Sequence, residues 1–202
     1  VALMRREMHG LAQRFSPLRQ GVHVHDRRID GGDGPIPLRI YRPHGAAASL
    51  PAVLYLHGGG FAVGDLDTHE PTCRVLADVA RCVVVSVDYR LAPEHPFPAA
   101  VDDAVAGYRW LLDHVEDLGV RAEQVGVMGD SAGGTLAAVV CLEARRLDLP
   151  QPTAQCLVYP LCDLHLRAAS YRTFAEGFSL DLRAIEWYRT QYAPDEATWD
   201  DE

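Results

Sequence analysis

The chain has 202 residues, 48% of them hydrophobic and 23% charged, which is ordinary globular composition with enough apolar material for one buried core. A formal net charge of -9 without any basic run argues against nucleic acid and anionic membrane as partners. All 19 basic residues are arginine, so Schiff-base, Ser-Lys and P-loop lysine chemistry have no residue to act through. Cys73, Cys82, Cys141, Cys156 and Cys162 are scattered, mostly inside apolar runs and without metal-like spacing, as expected of reduced core residues. No secretory signal pattern and no bilayer-length apolar run is visible, so a cytoplasmic protein without stable membrane insertion is expected. The opening Val1-Ala2-Leu3-Met4 suggests that the natural start is missing.

Leu3, Met4, Met8, Leu11 and Phe15 keep near-helical spacing until Ser16-Pro17, which predicts a short amphipathic helix within residues 1–20. Val22 to Ile29 and Leu38 to Arg42 alternate around the turn-rich segment 30–35, the pattern of a hairpin. His23 and His25 share a face of its first strand. With no third ligand nearby, a solvated strand face is favoured over a metal pair. Pro51 to Leu56 is a short unbroken apolar run, the mark of a strand buried on both faces, and it leads directly into His57-Gly58-Gly59-Gly60. Successive glycines after a buried strand let backbone amides converge on one point, as an oxyanion requires; a plain flexible turn is the alternative. His57, at the strand end, is expected to brace the loop rather than act as a base.

Asp67-Thr68 is expected to cap a helix through Val75, Leu76 and Val79, followed by a strand from Cys82 to Val87. Pro93, Pro96 and Pro98 then forbid regular structure until Pro98 can open a helix carrying Val101, Val105, Tyr108, Leu112 and Val115 on one face. Glu94 and His95 in that shaped loop could form a dyad, but structural hydrogen bonding is favoured. The run Gln124 to Met128 has strand length and Thr135 to Leu142 continues as a helix. Only a tight turn fits between them, and Gly129-Asp130-Ser131-Ala132-Gly133 reads as a nucleophile elbow that lifts Ser131 clear of the sheet. Ala154 to Tyr159 is one more buried strand. Tyr171 to Tyr192 is aromatic-rich with helix signals at Ser179 and Asp181, and Phe174, Phe178, Trp187, Tyr188 and Tyr192 either line an apolar acyl pocket or pack a lid helix.

Together His57-Gly58-Gly59-Gly60, the run from Tyr89 to Ala100 and Gly129-Asp130-Ser131-Ala132-Gly133-Gly134 resemble the hormone-sensitive-lipase-like esterases of the α/β-hydrolase fold. The resemblance covers most of the chain. It implies an α/β fold with a mostly parallel central sheet flanked by helices and topped by a helical cap. It also implies hydrolysis of short to medium acyl carboxylic esters, with Ser131 as nucleophile and the amides of Gly59, Gly60 and Ala132 as oxyanion hole. Support comes from His57, Gly58, Gly129, Asp130, Gly133 and Glu94, and no cofactor is needed. By the same resemblance residues 1–20 form a cap helix, 21–169 the hydrolase core and 170–202 a cap segment. A small ester is the expected partner, and a homodimer stays open.

Family members continue through further strands that carry the triad acid and histidine, which are absent before Asp200-Asp201-Glu202. The chain is therefore expected to be an incomplete esterase lacking its last strands, inactive alone, with the strand near Gln155 to Tyr159 left as an exposed edge. A serine without a base is a poor nucleophile. His165 is the only histidine after Ser131, and a substitute triad of Ser131, Asp163 and His165 is disfavoured because residues two apart on a loop seldom converge. The alternatives to an esterase are a non-catalytic ligand-binding protein on the same scaffold and an inert fragment.

Overall fold

A computed structural model describes the backbone of residues 1–15 and 21–200 and the side chains of 1–12 and 21–200. The Ser16-Pro17 break, the Phe15 side chain and the terminal Asp201-Glu202 lie outside the described residues. Helix α1 spans Ala2–Phe15. The hairpin forms as expected, with β1 at Val22–Gly31 and β2 at Gly34–Pro43 in antiparallel register from Val22 opposite Pro43 to Gly31 opposite Gly34. His23 and His25 are both exposed on β1, and the His23 ring packs on His44 at 3.9 Å.

Apolar runs with turn signals at both ends become the parallel centre of the sheet: β3 at Leu50–Leu56, β4 at Val83–Val87 and β5 at Val120–Asp130. With β6 at Gln155–Val158 the strand order is β1-β2-β4-β3-β5-β6, and β2 alone runs against the direction of the other five. The β4 residues are buried throughout because both faces are covered. Helix α2, Leu66–Ala80, contributes Cys73 and Ala77 to a cluster with Tyr41, Tyr55 and Val84 on one face. Helices α3, Ala99–Asp113, and α4, Ala132–Arg146, close the other face over Leu38, Leu54, Leu56 and Val85. Two short helices follow, α5 at Ala169–Thr173 and α6 at Leu182–Tyr192.

Four expectations need correction. The α2 cap is Asp65, not Asp67-Thr68: its carboxylate accepts the amides of Asp67 at 3.0 Å and Thr68 at 2.8 Å, while the Thr68 hydroxyl accepts the Asp65 amide at 2.8 Å. Residue 65 wins because a cap must stand outside the helix to reach its second and third amides. The β5 strand is longer than its apolar run, reaching back to Val120 opposite Leu50, with a register irregularity before Val125 opposite Ala52. Cys156 and Cys162 are exposed rather than core, and Ala154 to Tyr159, expected as a buried strand, contains no buried residue because β6 is the last described strand and its outer edge is open.

The proline-rich loop between β4 and α3 is held by a buried ion pair. Asp103 of α3 is 1% exposed and accepts the Arg90 amide at 2.8 Å and its Nη2 at 2.8 Å, while Arg90 Nη1 reaches Asp33 in the hairpin turn at 2.8 Å. Three segments distant in sequence thus share one guanidinium. Replacing Arg90 by Met leaves the Asp103 carboxylate buried without its counter-ion, and urea denaturation is expected to show a loss of about 3 kcal/mol.

Candidate active site

The parallel strands β3, β4 and β5 all end on one side of the molecule, so the segments after Leu56, Val87 and Asp130 meet there. After β5 the chain turns at Ser131, whose φ of 53° and ψ of -121° are a costly conformation for a residue with a side chain. That strain is imposed by packing. A Cβ at Gly133 would overlap the Leu56 carbonyl, so only glycine lets the first turn of α4 sit directly against β3. From the other side, the Ser131 amide donates to the Val158 carbonyl at 2.8 Å and the Thr135 hydroxyl donates to the Leu161 carbonyl at 2.7 Å. The elbow is therefore clamped between β3 and the end of β6, with Ser131 half-buried at its tip.

The glycine loop is fastened to the same elbow by Asp130. Its Oδ1 accepts the Tyr55 hydroxyl at 2.6 Å and the Gly58 amide at 3.1 Å, and His69 Nε2 lies 3.8 Å from Oδ2. Burial pushes this carboxyl up, but the His69 ring beside it and hydrogen bonds from the Tyr55 hydroxyl and the Gly58 amide outweigh it and hold the group below the usual aspartate value. Beyond Gly58 the chain turns back: Gly59 has φ of 126°, and its carbonyl accepts the amides of Ala62 at 3.1 Å and Val63 at 3.0 Å. A side chain there would strike the Val63 carbonyl. Among the described residues no protein acceptor takes the amides of Gly59 or Gly60, nor that of Ala132, which as the first residue of α4 has no intrahelical carbonyl.

His57 is completely buried and braces this loop. The ring lies on Tyr89 at 4.2 Å and on His69 at 5.2 Å, and Nδ1 donates to the Gly58 carbonyl at 2.8 Å. Its Nε2 is buried without a partner, and burial, reinforced by His69, pushes the ring pKa down to about 4, so it stays neutral. Glu94 stands outside the pocket. It is exposed and its carboxylate takes Arg5 of α1 in two contacts of 3.0 and 2.8 Å; the same guanidinium donates to the carbonyls of Ala62 and Ala92. Arg5 thereby straps α1 across the glycine loop and the proline-rich loop.

Asp163 and His165 do not form an acid–histidine pair. The Asp163 carboxylate accepts Arg167 at 3.1 Å and the backbone amides of His165 and Arg167, whereas the His165 ring meets Asp200 at 3.1 Å. Among the described residues no histidine is hydrogen-bonded to the Ser131 hydroxyl, and no group of three or more His, Cys, Asp and Glu could hold a metal.

Ser131 opens into a pocket of about 180 Å³ shared with Gly60, Phe61 and Ala132 on the core side and Tyr188 and Arg189 of α6 on the other. Of the five aromatics proposed from the sequence, only Tyr188 lines it. Tyr192 is buried and stacks on Phe61 at 3.7 Å, Trp187 packs edge-on against Tyr188, and Phe174 and Phe178 are exposed and pair with each other. Tyr55 and His69, which contact Asp130, and Tyr159, which lines the pocket, do not stand out in the sequence as site residues. Tyr159 had a usable signal, since it follows directly on a parallel strand that ends on the site's side of the sheet.

The sequence matches the family described as alpha/beta hydrolase fold over residues 53–202. The carboxylic ester hydrolase LipN of Mycobacterium tuberculosis is 43% identical over 200 residues, covering 96% of this chain and 53% of that protein. The esterase LipI of the same organism is 46% identical over 193 residues, covering 92% of this chain and 60% of that protein. The crystal structure of EstE1, a thermostable carboxylesterase cloned from a metagenomic library, superposes with a TM-score of 0.93 at 39% identity, covering 99% of this chain and 69% of that one. The chain thus spans little more than half the length of the curated relatives it matches. Among the described residues no helix is long and apolar enough to cross a membrane.

The buried His57 carries a pH dependence whose sign follows from its depressed pKa. Between its ordinary value of 6.5 and about 4 the unfolded chain binds a proton that the folded chain refuses, so its contribution is full above pH 6.5 and lost as pH falls through this window. The loss amounts to at most about 3 kcal/mol. In His57→Gln the drop in melting temperature between pH 7 and pH 4.5 should be smaller than in the unaltered chain.

Proposed function

The chain belongs to the α/β-hydrolase-fold family, to its hormone-sensitive-lipase-like esterases, and from that membership we propose that it is the Ser131-bearing part of a serine esterase acting on short to medium acyl carboxylic esters. The observation that carries this reading is the half-buried Ser131 on its strained elbow, facing the same small pocket as Gly60 and Ala132. In the proposed reaction the Ser131 Oγ attacks the ester carbonyl, its proton passes to a histidine base, and the carbonyl oxygen becomes an oxyanion held by the amides of Gly59, Gly60 and Ala132. The alcohol then leaves with that proton, and water attacks the acyl-serine to release the acid and restore Ser131. The base and its acid partner are proposed to come from outside these 202 residues, because among the described residues no histidine is hydrogen-bonded to Ser131, and His57, His69 and His165 stand at Gly58, Asp130 and Asp200. Residues 1–20 and 170–202 are proposed to act as the cap, supported by the Arg5 strap and by the α6 wall of the pocket.

The lack of a histidine bonded to Ser131 among the described residues favours one competing reading, a protein that binds esters or acids without turning them over. Labelling by a fluorophosphonate, read by intact mass alongside p-nitrophenyl butyrate hydrolysis, separates the two. The esterase reading expects one label, absent in Ser131→Ala, and turnover that disappears with it; turnover surviving in Ser131→Ala would remove Ser131 from the mechanism. In the active protein Gly59→Val is expected to lower kcat by roughly 10²-fold or more, the scale of losing an oxyanion donor, while KM changes much less.

A further inference from the structure

The pocket beside Ser131 contains the positive charge of Arg189 from α6, and among the described residues no Asp or Glu lines it. The guanidinium is held rather than free: Nη1 donates to the Leu164 carbonyl at 2.8 Å, and its carbon lies 4.0 Å from the centre of the Trp199 ring. That ring is itself fastened by its indole N–H to the Ala193 carbonyl at 2.9 Å. Of the remaining nitrogens, Nε is buried without a partner and Nη2 has none among the described residues. Arg5, Arg39 and Arg90 each meet carboxylates, at 2.8, 2.7 and 2.8 Å, whereas Arg189, like Arg42 among its carbonyls, is held by neutral groups alone.

Phenols and aliphatic side chains share the pocket with Arg189. Tyr159, Tyr171 and Tyr188 line the pocket, and among the described residues none of their hydroxyls has a protein partner. A neutral phenol can donate to an acceptor as well as accept, whereas a guanidinium can only donate. Leu161, Leu180 and Ile185 complete the wall with aliphatic surface. A wholly apolar ester portion would leave the unpaired donors of Arg189 facing hydrocarbon, which costs free energy for each one stripped of water.

We propose that Arg189 makes this pocket select esters whose portion lodged against α6 is a short aliphatic chain ending in a carboxylate, as in a half-ester of a small dicarboxylic acid. This deepens the esterase reading and rests on it for the fate of the ligand, but not for its binding. A carboxylate offers the two acceptor oxygens that a guanidinium edge pairs with, and the held position of Arg189 spares the entropy of immobilising a long side chain on binding.

The test reads binding without chemistry, by calorimetric titration of the full chain carrying Ser131→Ala. Two pairs of isosteres are used. Monoethyl succinate against ethyl 4-methylpentanoate places the carboxylate on the acyl portion, and acetoxyacetate against isobutyl acetate places it on the alcohol portion. In at least one pair the anionic member should bind about tenfold more tightly or better, the scale of a charge-assisted hydrogen bond. That preference should vanish in Arg189→Met, which keeps an unbranched stem over Trp199, and in Arg189→Gln, used should the first variant not fold. Equal or weaker binding of the anionic member in both pairs overturns the proposal, as does a preference that survives in either folded variant. If the charge preference is present while the Ser131-bearing protein hydrolyses no ester, the esterase reading fails and this one stands. Turnover without charge preference has the opposite meaning.

Discussion

The carboxylate of Asp130 joins the two halves of the candidate site, and most of the local structure serves to keep it where it is. It sits at the end of β5, one residue before Ser131, and accepts the amide of Gly58 at the start of the glycine loop. Together with the packing of Gly133 on the Leu56 carbonyl, that bond ties the loop after β3 to the elbow after β5. Tyr55 and His69 supply the further donors that let a largely buried carboxylate remain charged.

Around this joint the chain is tied by a few polar contacts between segments far apart in sequence. Arg5 fixes α1 to both loops, the Arg90–Asp103 pair fixes the proline-rich loop to α3, and the Tyr89 hydroxyl holds the His57 carbonyl at 2.6 Å. The site is thereby built from loops yet stands on rigid strands and helices. Such an arrangement suits a nucleophile that must be presented without moving, and it concentrates strain at Ser131, where the surrounding packing over-determines it.

The opposite character appears at β6. It is the last described strand, pairs with β5 on one side only, and leaves Cys156 exposed. Yet β6 also anchors the elbow through the Val158 carbonyl and leads into Tyr159 and the pocket wall. An open sheet edge thus lies directly beside the candidate nucleophile.

The sequence by itself determined the class of fold, the order of elements and the residues at the elbow and in the glycine loop. It could do so because these rest on local rules: apolar runs of strand length, helical spacing, and glycines where backbones meet. Local rules also gave the hairpin and the brace role of His57, though they placed the α2 cap two residues late. Only the tertiary structure decided which aromatic faces the pocket, that Asp130 binds Gly58, that Glu94 belongs to Arg5, and that Asp163 and His165 take different partners. Tyr188 and Tyr192 lie one helical turn apart on the same aromatic helix, and nothing in their spacing says that one lines a cavity while the other stacks under Phe61. Arg189 gives no sign in the sequence of lacking a counter-ion, because an ion pair depends on which segments pack together, and that is settled by the burial of surfaces from the whole chain rather than by any stretch of it.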